Sequence, residues 1–336
     1  MSLRKFFPGL GLIALLVALA SLGARQPELS ALGASPLTLA IILGALLGNL
    51  QPALAQGRWQ PGLRFAQKIL LRAGVAFYGF NLNLQQIAEA GRSGLLIDVL
   101  MLCSTLAVGY FVGTRWLRME RASALLIAAG SAICGAAAIV ATVSVLRLEE
   151  SDSVKKAATA VATVVLFGTA AMFIYPLLFT WLGGSRPLFG IFIGSTVHEV
   201  AQVVAIGNAI GGAAAHNAVI VKMIRVLMLV PFLLALSFWL ARGQPAGHKK
   251  HIAVPWFALI FVLFAALNSL LAVPDNLLQV LRQTSVISLS FAMAAFGMET
   301  TVTLIRQAGL KPLLLGAILF AYLVIVGGGV NFWLAG

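Results

Sequence analysis

Only 10% of the residues in this chain are charged. Yet His198 and Glu199 stand side by side in the stretch GSTVHEVAQVVAIG, Gly194 to Gly207. Imidazole titrates near pH 6.5, so either residue could carry a proton or orient the polar atoms of a ligand. Ionisable groups in a membrane segment are costly and mark function by default; the bland alternative is a structural His–Glu pair. Lys222 and Arg225 come next, three residues apart. On a helix they share a face, where they could neutralise an anion, snorkel to a nearby surface or pair with Glu199. Arg72 and Arg282 could play either part. Ser131, Ser195 and Thr196 carry hydroxyls that bind backbone groups and ligands alike. Gly135 lets a ligand approach the backbone. Gln202 joins this set, as do Asn81 and Asn83, which follow the Gly79-Phe80 step with Gln85 and Gln86. Glu299 stands with His198 and Glu199 as a third group for ion coupling.

Enzyme chemistry finds little support. HEVAQ matches H-E-x-x-H except at its last position, where Gln202 replaces the second histidine, so the zinc site lacks a ligand one turn on. No G-x-S-x-G, Walker loop or nucleophile triad appears. Cys103 and Cys134 both lie in apolar runs and imply neither a disulfide framework nor a metal site. No metal or cofactor is expected, and the chain reads as a non-enzyme.

The elements that must position these residues are apolar throughout. Of 336 residues, 60% are hydrophobic, and mean hydropathy is +0.99. A soluble domain carries about 25% charged residues. Apolar runs near 20 residues recur along the chain, each able to cross a core of about 30 Å as a helix. The reading is an all-α polytopic membrane protein, one transmembrane domain over 1–336 with about 9–11 transmembrane helices. Spanning segments are expected near 8–24, 36–50, 64–84, 94–113, 157–182, 217–240, 254–272, 276–298 and 312–333. The net charge of +13 fits basic cytoplasmic loops: Arg4 and Lys5; Arg58 and Arg64; Arg115, Arg118 and Arg121; Arg242, Lys249 and Lys250; Arg306 and Lys311. A cytoplasmic N-terminus follows. The loop RLEESDSVKK, 147–156, is neutral and ambiguous. No basic arm suggests nucleic acid as a partner.

Two segments differ from the rest. The runs 122–146 and 187–210 are broken by small or polar residues, Ser131 to Ala138 and Ser195 to Glu199. Each half is 11–12 residues, roughly 17 Å, half a membrane. Hydrocarbon cannot satisfy the freed backbone groups, so the breaks must line protein or a wet cavity. Small residues alone could equally mean close helix packing. The breaks also repeat: GSAICGAAAIVA, 130–141, aligns with GSTVHEVAQVVA, 194–205, without a gap, and 74–97 aligns with 292–315. If every segment crosses, only the second pair is inverted. If the broken elements are re-entrant hairpins, both pairs are. Half-helix ends facing each other near the midplane are the arrangement of secondary transporters.

GFNLNL at 79–84, GSAICG at 130–135 and STVHEVAQV at 195–203 resemble the bacterial sulfate-exporter family of YeiH-like inner-membrane proteins, over most of the chain. That family is more distantly similar to the cation–proton antiporters and bile-acid symporters, which share inverted repeats and two discontinuous helices crossing near the midplane. The resemblance implies a bacterial inner-membrane transporter that exports sulfate or a related sulfur oxyanion or sulfonate. The second broken element comes early for that superfamily's repeat order, which blocks a one-to-one helix match. The expectation is alternating access, with a small anion between the two breaks and H+ or Na+ as a partner ion. A homodimer in the lipid bilayer is compatible with the sequence. Its rivals are a sodium- or proton-coupled symporter of an organic acid, an intramembrane enzyme using His198 and Glu199, and a non-transporting membrane sensor or assembly subunit.

Overall fold

The computed structural model describes residues 5–26, 35–146, 148, 150–241, 256–271 and 273–335, with no strand among them. Arg4, the Arg242–Lys250 loop and parts of 147–156 lie outside the described residues. In chain order the helices are α1 (Phe7–Gly23), α2 (Pro36–Leu50), α3 (Gln60–Phe65), α4 (Leu71–Tyr78), α5 (Leu84–Phe111), α6 (Arg121–Ala132), α7 (Ala136–Leu146) and α8 (Glu150–Leu182). There follow α9 (Arg186–Thr196), α10 (Val200–Ile210), α11 (Ala213–Leu227), α12 (Leu229–Ala241), α13 (Trp256–Leu270), α14 (Asp275–Glu299), α15 (Val302–Ala308) and α16 (Leu310–Ala335). A π-helical turn, Ala66–Leu70, joins α3 to α4.

The start signals are local. Ser35 accepts the Thr38 N–H at 3.2 Å ahead of Pro36, opening α2. Asn83 and Gln86 exchange side-chain-to-backbone bonds at 2.8 and 3.1 Å, opening α5; this is a capping box. Among the described residues, five stretches are long and apolar enough to cross a membrane: Gly94–Trp116, Lys155–Leu182, Ala213–Leu240, Asp275–Glu299 and Leu310–Leu334. Of the expected spans, α1, α2 and α13 are apolar but shorter, at 17, 15 and 15 residues. Large apolar side chains such as Phe173, Phe238, Leu263 and Ile325 are exposed, as suits a bundle solvated by lipid rather than water.

Both broken segments exist, and both turn back. Gly130 of α6 lies against the Ile139 side chain of α7; in one straight helix those residues would sit about 13 Å apart along the axis. The arms are ordered by α8. Lys156 binds Glu120, just before α6, at 2.6 Å, and Gly130 abuts Val164, so α6 runs parallel to α8 and α7 returns. In the second segment, Gly190 and Gly194 of α9 meet Ala214 and Ala218 of α11 in the same order, while Gly207 of α10 meets Ala215. Thus α9 is parallel to α11 and α10 is antiparallel. Of the two alternatives the sequence leaves open, the hairpin is the one found: each segment doubles back on itself. They enter from opposite ends of α8 and their tips meet at its middle, where Val164 touches the first and Gly168 faces Gln202 of the second.

Packing divides the helices into two bundles. One holds α1, α2, α3–α4, α13 and α14; the other holds α5, both hairpins, α8, α11 and α16. In the first, Gly44 and Gly48 of α2 lie on the α14 backbone at Ala294 and Met298, a close approach that small residues permit.

Candidate functional site

At the first tip, Gly135 closes α6 with φ +69, and its N–H donates to Gly130 O at 2.9 Å. That left-handed closure is what glycine supplies at a helix end. At the second, α9 ends through Val197 and Glu199 in extended conformation. Each tip therefore presents the unpaired carbonyls of one half-helix and the unpaired amides of the next.

Side chains from elsewhere satisfy these ends. Lys222 Nζ donates to Ile133 O at 2.7 Å and to Val197 O at 2.6 Å, one carbonyl from each hairpin. Arg225 Nε donates to Ala132 O and its Nη1 to Ser195 O, again one from each. Cations at helix C-termini also oppose the negative end of the helix dipole. A hydrogen bond to a charged group contributes about 1.5–3 kcal/mol, so these four bonds pin the tips together. Glu199 Oε1 accepts the Ala136 N–H at 3.1 Å, capping α7 across the interface. Gln202 Oε1 takes the Glu199 N–H at 3.2 Å.

The sequence leaves Lys222 and Arg225 free to face a small anion, to snorkel to a surface or to pair with Glu199. Both are fully buried and bound to main-chain carbonyls, so they serve as clamps, with only Arg225 Nη2 unpartnered. Ser131, Gly135, Ser195, Thr196, His198, Glu199 and Gln202 do converge at the crossing. Several are tied to protein: Ser195 Oγ pairs with the Asn331 amide at 3.0 Å, and Tyr175 donates to Thr196 Oγ1 at 2.8 Å. Ser131 Oγ and both His198 ring nitrogens are buried without a partner; the imidazole stacks on Phe320, centroids 6.3 Å apart. Asn81 and Asn83 do not reach the crossing. Asn81 binds Tyr78 O at 3.2 Å, and Asn83 caps α5, in the turn between α4 and α5. Arg282 is spent on Phe80 O at 3.2 Å in that same region.

A cavity of about 520 Å³ lies where the two bundles face each other. The hairpin side contributes Cys134, Ala136 and Glu199; the other wall contributes Lys68, Arg72 and Glu299. Most of the remaining lining is aliphatic or aromatic, including Leu71, Val140, Val165 and Phe296. Glu299 is thus brought to the same space as Glu199, and Arg72 acquires a place. Asp98, Asn331, Tyr175 and Lys68 were missed. Asp98 at least had a signal, being a lone acid in the apolar run GLLIDVLML. Asn331 and Tyr175 had none beyond polarity.

The family model described as conserved hypothetical protein 698 matches residues 8–316. A UPF0324 membrane protein of Pseudomonas aeruginosa is 48% identical over 337 residues, covering 97% of this chain and 93% of its own. The UPF0324 inner membrane protein YeiH of Escherichia coli K12 is 44% identical, covering 98% of this chain and 95% of its own. Among solved structures, the sodium proton antiporter MjNhaP1 from Methanocaldococcus jannaschii aligns with 94% of this chain and 99% of its own at 13% identity and a TM-score of 0.32, too distant to equate helices.

Proposed function

Since the chain belongs to the family of conserved hypothetical protein 698, whose UPF0324 relatives are membrane proteins, we propose that it is a secondary transporter carrying a small anion by alternating access. We further infer a place in the bacterial inner membrane with a cytoplasmic N-terminus. One observation carries the reading: the 520 Å³ cavity sits between two bundles, with both hairpin tips on its inner wall. Interrupted helices are tolerated in a membrane where they line such a space. Movement of the hairpin bundle against the other would expose Glu199 and the Ala136 turn to each side in succession.

In this reading the anion is sulfate, a related sulfur oxyanion or a sulfonate, drawn by Lys68 and Arg72 and by the N-terminal turn of α7. Ser131, His198 and Gln202 support the tips, and Glu199 with Glu299 takes the coupling ion. The test is transport of sulfate, sulfite, thiosulfate or taurine across the membrane of proteoliposomes, under pH and sodium gradients. Gradient-driven movement of one of them is expected; none under any gradient defeats the substrate class. The largely aliphatic lining favours a second reading, an organic acid carried with a proton or sodium ion. In that case a carboxylate competes where sulfate does not, and sodium or proton dependence disappears in Glu199→Gln.

A further inference from the structure

Asp98 lies in the middle of α5 and is fully buried. Neither carboxyl oxygen has a hydrogen-bond partner. Its position on the bundle is fixed by neighbours: Gly94 packs on Val221 of α11, and Gln86 approaches His216 at 3.5 Å. The two helices therefore run parallel, and Asp98 falls level with Arg225. The fields of Arg225 and Lys222 both reach it. Of Arg225, Nε and Nη1 hold the carbonyls of Ala132 and Ser195, while Nη2 is buried and unpartnered.

We propose that Asp98 is a proton-binding site, protonated while Arg225 grips the two hairpins and ionised when Arg225 turns its guanidinium to it. An ionised carboxylate taken out of water is tolerated only with donors or an opposite charge in contact. Asp98 has no donor in contact, and the neighbouring guanidinium has its Nε and Nη1 directed elsewhere. A guanidinium can fork two N–H groups onto a carboxylate, but doing so here withdraws it from Ala132 O, Ser195 O or both. The ionised carboxylate and the hairpin clamp thus exclude each other, and the proton goes with the clamp. The helices packed on α5 offer few other titratable groups. Arg121 of α6 and Lys311 of α16 belong to the far end of the pair, where Gly113 meets Ala124 and Leu315. Arg186 of α9 and His216 of α11 belong to the opposite end. Tyr322 packs beside Ile97 and Met101. Lys222 is held by Ile133 O and Val197 O.

The proton site does not depend on transport, so its failure and that of the transporter reading are separable. The chain has three aspartates, Asp98, Asp152 and Asp275, and the latter two are exposed. Infrared spectra of the purified full-length protein, with carboxyl-labelled aspartate, therefore report on Asp98 without any mutation. The expected result is a protonated-carboxyl band at neutral pH that shifts with the aspartate label, persists in Glu199→Gln and is lost in Asp98→Asn. A spectrum with no label-sensitive protonated band between pH 6 and 8 overturns the proposal, as does a band that survives Asp98→Asn. Should Asp98→Asn not fold, the labelled wild-type spectrum decides alone.

Discussion

The two hairpins have the same outline and opposite contents. Each is a pair of half-helices of about 11–12 residues joined by a three-residue tip, and each ends its first arm on carbonyls held by Lys222 and Arg225. The first tip, Ile133–Gly135, supplies its backbone, a buried isoleucine and a thiol, and no charged side chain. The second, Val197–Glu199, supplies an imidazole and a carboxylate. Glu199 of the second tip caps the free amide of the first, at Ala136. The first hairpin is therefore a surface of main-chain dipoles, and the second brings the chemistry that completes it. Shared architecture does not require shared roles, and mutations in the two tips should fail in different ways.

The clamp common to both hairpins gives the largest expected effect. Lys222→Met keeps the apolar stem but leaves Ile133 O and Val197 O without their donor. Stranding buried acceptors of charge-assisted bonds should cost about 3 kcal/mol or more. Thermal unfolding in detergent should show a large drop, or no folded protein. A variant as stable as wild type would mean that the tips are held by something else.

Next in size is the asymmetry itself. Glu199→Gln keeps an oxygen to accept the Ala136 N–H but removes the charge. Stability should change by about 1 kcal/mol or less, as for a cap exchanged for another polar cap, while uptake in proteoliposomes falls at least tenfold. Replacing Glu199 with Ala should lose both, with about 1–2 kcal/mol of unfolding free energy gone with the cap. Unfolding and uptake measured on the same preparations separate charge from capping. If Glu199→Gln transports normally, the second tip is as structural as the first.

Gly135→Ala tests the first tip from the backbone side. A residue with a Cβ at φ +69 is strained by about 1–2 kcal/mol, and the added Cβ would meet the Glu199 side chain. The expected result is a modest fall in unfolding midpoint together with weakened ligand stabilisation, because the carboxylate is displaced. Stability lost with no change at the ligand would uncouple the two tips.

The sequence made the two breaks legible because small residues and a His–Glu pair interrupt apolar runs of a length that demands explanation. It did not show the reversal at each break, since 11-residue halves suit a crossing helix as well as a hairpin; neighbours such as Gly130 with Ile139 decide that. The charges of Lys222 and Arg225 were visible and their use was not. A cation on a helix face looks the same whether an anion or four carbonyls await it, and those carbonyls come from residues 25–93 positions away. The GFNLNL stretch is ambiguous in the other direction. Its polar residues suit ligand contacts, and a helix start needs the same residue types.

That ambiguity yields the smallest prediction. Asn83 opens α5 by accepting the Gln86 N–H at 2.8 Å, and Asn81 holds Tyr78 O; neither lines the cavity between the bundles. Asn83→Ala should cost about 1 kcal/mol, the usual loss for an N-cap, and Asn81→Ala less. Because α5 also carries Asp98, fifteen residues and roughly four turns on, fraying at its first turn should die out before reaching the crossing. Transport rate and ligand stabilisation should then match wild type within about twofold, a free-energy difference of about 0.4 kcal/mol, even as the unfolding midpoint falls. A selective loss of transport in either variant would move the α4–α5 turn from the frame to the site.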